Sequence, residues 1–210
     1  MSKLPLYLGL DPGNLPCVHY PVIYTQMLHL EDQKLLQAFG QLESYSHLIF
    51  TSQQAVRFFF ACVENKKPPL GKVWVSIGEA TSKQLECHGV IPNVAPLYTA
   101  TESTQEGVMV LLEQMAIPQE AYFFYPRSNL ARPFLAKYLQ QKGWQVEILD
   151  LYETKFQKLE PVPDLAEFEE IIFTSPSTVE GFLRIYGKIP SGKRLKAIGP
   201  ITAAALAASR

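Results

Sequence analysis

The hydrophobic positions of this chain alternate between two rhythms. Short apolar runs at 48–50, 73–77, 90–94 and 122–125 are bounded by Gly, Pro, Ser or Asn, as strands buried on both faces of a parallel sheet are. Between them apolar residues recur at helical spacing. In 130–142, for example, Leu135, Tyr138 and Leu139 fall at i, i+3 and i+4 and make one stripe. Gly143 then predicts the helix stop, and 145–149 resumes as a strand. Residues 36–149 therefore read βαβαβαβαβ, an open parallel sheet covered on both faces. The stretches 92–103 and 158–163 lack periodicity and are expected to be loops.

The last third begins the same pattern, with strands at 170–173 and 195–198 and helices at 178–186 and 201–208. Two strands are too few for a stable sheet, and the N-terminal run "LPLYLGL" is the available third. The prediction is an α/β protein of two flavodoxin-like, doubly wound parallel-sheet domains, one of them discontinuous. Residues 1–17 plus 158–210 form the discontinuous domain and 36–148 the inserted one; 18–35 and 149–157 link them. "CVHYPVIYTQ" (17–26) and "ILDLYETKFQ" (148–157), both rich in Tyr and β-branched residues, are expected to pair as a two-stranded β-ladder.

The two halves repeat one another. "LIFTSQQAVRFFF" (48–60) matches "IIFTSPSTVEGFL" (171–183), and "VWVSIGEATSKQL" (73–85) matches "LKAIGPITAAAL" (195–206), nearly in register. Thr51-Ser52, Thr174-Ser175, Gly78 to Thr81 and Gly199 to Thr202 all fall where a strand gives way to a helix. In an open α/β sheet that is the ligand side. Hydroxyls there either cap the following helix or turn to a ligand, and helix N-termini favour anions. Four such junctions in two similar domains would aim anion-friendly ends into one cleft.

Other chemistry finds little support. The formal net charge of -1 comes without a basic block, which argues against a nucleic-acid partner. No apolar run approaches the roughly 18 residues of a membrane helix. "MSKLPLYLGLDPG" has Pro and Asp where a signal peptide needs an unbroken apolar stretch, so a soluble, cytoplasmic protein is expected. Cys17, Cys62 and Cys87 show no CxxC spacing, and His19, His29, His47 and His88 no HxxxH or HExxH relation; neither disulfide framework nor metal site is expected. GxGxxG, GxxxxGK[ST] and GxSxG are absent, and no Ser, His and Asp set can be assembled from spacing. No cofactor is predicted.

Taken together, "IFTSQQAV", "FYPRSNLARPFLAKYLQQKGWQVEILDLYET", "IFTSPSTVEGF" and "AIGPITAAAL" resemble the uroporphyrinogen-III synthase family over most of 48–208. The resemblance implies two α/β domains on a two-stranded ladder and a small-molecule substrate, the linear tetrapyrrole hydroxymethylbilane with its eight carboxylates. It implies loss of the terminal hydroxyl, attack by the far pyrrole at its substituted carbon, a spiro intermediate and inversion of ring D. It places Tyr152 of "LYET" as the acid assisting hydroxyl departure. Thr51, Ser52, Thr81, Thr174, Ser175, Ser177 and Thr202 would hold substrate carboxylates, with Arg127 and Ser128 of "YPRSN" beside them. A packed strand tyrosine, a solvated arginine and capping hydroxyls are the structural alternatives. The family is typically monomeric, and a transient contact with the enzyme that makes hydroxymethylbilane is expected.

Two departures stand out. "DPGNLP" (11–16) replaces the helix that usually follows the family's first strand, and the sequence stops at Arg210, before a further strand and helix. The discontinuous domain is expected to be trimmed and less stable than the inserted one. A non-catalytic tetrapyrrole-binding module derived from the enzyme, or a two-lobed binder of another polyanion, are the alternative readings.

Overall fold

The computed structural model describes residues 3–28, 33–63, 67–91 and 95–209; His29 lies outside them. Strand β1 (Leu6–Tyr7) pairs in parallel with β2 (Val18–His19). The link between them carries no helix and is tied by Tyr7 Oη donating to the Asp11 carbonyl at 2.8 Å. The chain continues through β3 (Ile23–Met27), α1 (Gln33–Gly40), β4 (His47–Phe50), α2 (Gln53–Cys62), β5 (Val73–Ser76) and α3 (Glu79–Glu86). Next come β6 (Leu97–Thr99), α4 (Gln105–Gln114), β7 (Tyr122–Ser128), α5 (Phe134–Gln141) and β8 (Gln145–Phe156). It closes with β9 (Glu170–Phe173), α6 (Pro176–Tyr186), β10 (Arg194–Ala197) and α7 (Pro200–Ala208). No helix among the described residues is long and apolar enough to cross a membrane.

Two compact units result, Met1–Thr25 with Thr154–Arg210, and Gln26–Glu153. The six-stranded sheet has the order β3-β8-β7-β4-β5-β6, and β4 to β8 run parallel. Counted in chain order, these five give 3-2-1-4-5, a doubly wound order whose switch point lies between β4 and β7. The four-stranded sheet, β10-β9-β1-β2, is parallel throughout. Its order is 2-1-3-4, the flavodoxin-type start, with the switch between β1 and β9.

Side-chain alternation builds the cores. Leu48, Phe50, Trp74 and Phe124 point to the face covered by α1, α2 and α3, while Ile49, Val75, Phe123 and Tyr125 point to α4 and α5. These eight are each no more than 1% exposed, and a buried side chain of this size contributes about 1.5–3 kcal/mol. The smaller unit gathers Leu6, Leu8, Ile171, Phe173, Val179 and Phe182.

Three expectations are corrected. No strand forms at Val90 and Ile91, and 92–94 lie outside the described residues. Val90 is fully buried because its N–H returns to the Leu85 carbonyl, closing α3. The strand lies at β6 instead, inside the stretch expected to be loop. As an edge strand its Tyr98 and Thr99 are exposed, so it shows no apolar run. The segment 17–26 does not stay in one ladder. Tyr20 N and Val22 N bond to Tyr7 and Leu8 carbonyls, holding 18–22 along β1; only then does β3 join β8. Pro21, which has no N–H to give, sits between the two pairings.

Candidate functional site

Beyond Phe50 the chain bends at Thr51 and Ser52 before α2 begins, with the Ser52 backbone itself extended at φ −164° and ψ 153°. The contacts of the two side chains lie on opposite faces of the sheet. Thr51 Oγ1 lies 3.2 Å from Tyr125 Oη on the α4–α5 face. Ser52 Oγ, on the α2 face, accepts Ala55 N–H at 3.0 Å as the helix cap and lies 2.8 Å from Tyr152 Oη. Each hydroxyl of the pair thus meets one phenol.

A bulge aims Tyr152. Arg127 is opposite Asp150, yet Ser128 is opposite Tyr152, so β8 carries Leu151 as an extra residue. Without it, strict alternation would put Tyr152 on the side of Asp150. With it, Leu151 and Tyr152 both join the core under α1 to α3. Tyr152 is 5% exposed and packs against Phe58, ring centroids 5.2 Å apart. Burial pushes its phenol above the ordinary tyrosine range, with hydrogen bonds to Ser52 and Ser128 opposing the rise. It is therefore protonated at neutral pH.

Arg127 donates from Nε to Asp150 Oδ1 at 2.8 Å, and its guanidinium carbon lies 5.9 Å from the Tyr125 ring centre. Its Nη1 is buried with no hydrogen-bond partner among the described residues. Leaving such a group unpaired costs about 1–3 kcal/mol, and a carboxylate oxygen is the partner a guanidinium fork fits. Ser128 Oγ accepts Leu130 N–H at 3.2 Å, closing the turn into α5. Thr51, Ser52, Arg127, Ser128 and Tyr152 are thus brought together at the carboxyl ends of β4, β7 and β8, at the switch point.

Thr81 lies apart from this group, 4% exposed within α3. Beside it Ser76, Ser82 and Thr99 hydrogen-bond one another in a closed hydroxyl triangle. The repeated glycines serve different ends: a Cβ at Gly78 would collide with Ser103, whereas Gly199 meets nothing but has φ +86°.

In the other unit, Thr174, Ser175 and Ser177 cluster at the start of α6, but a residue passed over in the sequence governs them. The Thr178 hydroxyl accepts N–H from Thr174 (3.1 Å) and Ser175 (3.2 Å) and donates to the Ser175 carbonyl (2.7 Å). Ser175 Oγ in return accepts Thr178 N–H (3.3 Å) and lies 2.8 Å from Ser177 Oγ. Pro176 has no N–H. This corner is a closed capping box in which the N–H groups of Thr174, Ser175 and Thr178 are already engaged. Thr202 is 3% exposed within α7.

Sequence reasoning also passed over Tyr125, Gln105 and Asp150. Asp150, a lone carboxylate in the apolar run "EILDLY", carried the one readable signal, a charge that needs a cross-strand cation. Among the described residues no three His, Cys, Asp or Glu side chains gather into a metal-sized site.

The family model described as uroporphyrinogen-III synthase HemD matches residues 15–209. The chain belongs to the uroporphyrinogen-III synthase family. A curated relative, the uroporphyrinogen-III synthase of Chlorobaculum parvum, is 27% identical over 179 residues, covering 79% of this chain and 70% of that protein. The porphyrin biosynthesis protein HemD of Ruminiclostridium josui is 24% identical over 200 residues, 87% of this chain but 36% of its own length. Among solved structures, a mutant uroporphyrinogen III synthase from Thermus thermophilus aligns with a TM-score of 0.61 at 16% identity, covering 99% of this chain and 89% of that one. The Helicobacter pylori uroporphyrinogen-III synthetase gives 0.59 at 20% identity, with the same coverage. These structures share the fold: mixed α/β with parallel sheets.

Proposed function

We propose that this uroporphyrinogen-III synthase family member converts hydroxymethylbilane to uroporphyrinogen III as a cyclising hydro-lyase of porphyrin biosynthesis. The C–O bond of the terminal hydroxymethyl group breaks and water leaves with a donated proton. The resulting azafulvene cation is attacked at the substituted carbon of the far pyrrole. The spiro intermediate fragments and recloses with ring D inverted, and loss of a proton restores the aromatic pyrrole. Because hydroxymethylbilane closes without help to the uninverted isomer, the protein's main task is to hold a conformation.

The observation that carries the site assignment is the Ser52–Tyr152 pair, 2.8 Å apart at the switch point. Tyr152, kept neutral by burial, donates a hydrogen bond to the departing hydroxyl, an acid assistance of about a hundredfold. Thr51 and the partly exposed Arg127 guanidinium take substrate carboxylates, and Asp150 holds the guanidinium at the end of β7. Thr174, Ser175 and Ser177 serve first as the α6 cap. Thr81 and Thr202 shape the starts of their helices from within.

The test is an isomer assay on the purified chain, with the products oxidised and separated as uroporphyrins. Type III in excess over the spontaneous type I supports the reading. Type I alone with retained ligand would make the protein a binding module, and neither binding nor turnover would remove the tetrapyrrole reading altogether.

A further inference from the structure

The first residue of α4 is Gln105, only 6% exposed and with both polar atoms of its side chain engaged. Its Oε1 accepts Leu135 N–H at 3.1 Å and its Nε2 donates to the Arg132 carbonyl at 3.0 Å. Both partners have fixed roles, since a backbone N–H only donates and a carbonyl only accepts, so the orientation of the amide is determined from two sides. The same Nε2 lies 3.3 Å from Tyr125 Oη and gives it the second amide hydrogen. Tyr125 has one proton of its own, and its other hydroxyl neighbour is Thr51 Oγ1 at 3.2 Å. Among the described residues Thr51 Oγ1 is the acceptor within reach of the phenol's own hydrogen, and a fully buried hydroxyl keeps that hydrogen paired, so the phenol donates to Thr51. With its oxygen already accepting, the Thr51 hydroxyl directs its own hydrogen away from Tyr125.

We propose that Gln105 and Tyr125 are positioning residues that fix Thr51 as a hydrogen-bond donor to a substrate carboxylate. This rests on the reading of the chain as a binder and cyclase of an octacarboxylate tetrapyrrole. The direction of the chain runs from Leu135 N–H through Gln105 and Tyr125 to Thr51, each link polarising the next. Burial raises the Tyr125 pKa, so the phenol keeps the proton it gives. The polarity of the Thr51 hydroxyl is thereby set before a ligand arrives, and an anion meets a donor already turned away from the core.

The experiment is a double-mutant cycle of Tyr125→Phe and Thr51→Val, read by fluorescence titration with uroporphyrin III and by steady-state kinetics with hydroxymethylbilane. Thermal melts establish that each variant is folded. Thr51→Val is expected to weaken porphyrin binding roughly tenfold and Tyr125→Phe about three- to fivefold, with the double variant no weaker than Thr51→Val alone. The Tyr125→Phe change should appear in KM, with kcat within about twofold of wild type. Gln105→Met, which removes both the donor and the acceptor, should match Tyr125→Phe in the wild-type background and be silent beside Thr51→Val. It substitutes for Tyr125→Phe should that variant not fold. Effects that multiply in the double variants, or porphyrin binding unchanged in Tyr125→Phe and Gln105→Met, overturn the proposal. Wild-type protein that binds uroporphyrin III without forming the type III isomer rejects the synthase reading and leaves the cycle to judge this one. Wild-type protein that does not bind the porphyrin overturns both.

Discussion

Tyr152 shows how far a residue type is from a role. A tyrosine in a strand is ordinary packing, and Tyr152 does pack, against Phe58 and beneath α2. Its hydroxyl nevertheless ends on the Ser52 oxygen at the switch point. Tyr152→Phe keeps the ring and removes the hydroxyl with its hydrogen bonds to Ser52 and Ser128. It is expected to lower kcat for hydroxymethylbilane about a hundredfold while uroporphyrin III affinity stays within about twofold. An equal fall in both would mark Tyr152 as structural. Thr51 and Ser52 were legible because they stand in a repeated motif, and Tyr152 through the family resemblance of "LYET". Tyr125, Gln105 and Asp150 were not, because each gains its role from a strand or helix distant in sequence. Asp150 meets Arg127 only because β7 and β8 are neighbours in this register, and no local pattern encodes that.

At the scale of the element, α6 is the best-specified helix of the smaller unit. Ser175 and Thr178 cap it reciprocally, Pro176 starts it and Gly187, at φ +78°, stops it. Capping by Ser175 was legible at the strand-to-helix junction, but the part of Thr178 was not, since its two amide bonds depend on the turn that brings Thr174 and Ser175 back over it. Ser175→Ala is expected to cost about 1 kcal/mol of stability. Thr178→Val leaves two amides without their acceptor and should cost more, about 1–3 kcal/mol. Denaturant titration measures both, and a Thr178→Val protein as stable as its parent would contradict this account of the corner. The strand β6 escaped the sequence reading for the opposite reason. Apolar runs report burial, and an edge strand needs only backbone pairing on one side, so "LYT" carried no signal. Val90 carried a strong one and made no ladder, because its burial completes a helix end.

Across the whole molecule, alternation of β and α elements, and the recruitment of the N-terminal run into the sheet of β9 and β10, followed from pattern alone; the strand orders did not, since periodicity says nothing about neighbours. Both units bury phenols. Tyr45, Tyr125 and Tyr152 in one and Tyr7, Tyr20 and Tyr186 in the other are raised chiefly by burial, Tyr186 to about 12. An unfolded tyrosine titrates near 10. Raised folded values therefore contribute stability that is complete below about pH 10 and is lost as pH climbs toward those values. Melting temperature is expected to fall as pH passes about 10, in step with phenolate absorbance; a melting temperature that held steady while phenolate appeared would refute it. The discontinuous unit has one more consequence, in time. β1 sits between β2 and β9, so its second neighbour leaves the ribosome only after the whole inserted unit has been made. At about 5–20 residues per second, "LYLGL" waits roughly ten to thirty seconds with one sheet edge uncovered. During translation the inserted unit can complete its fold first, and the first-made strand is among the last to be enclosed.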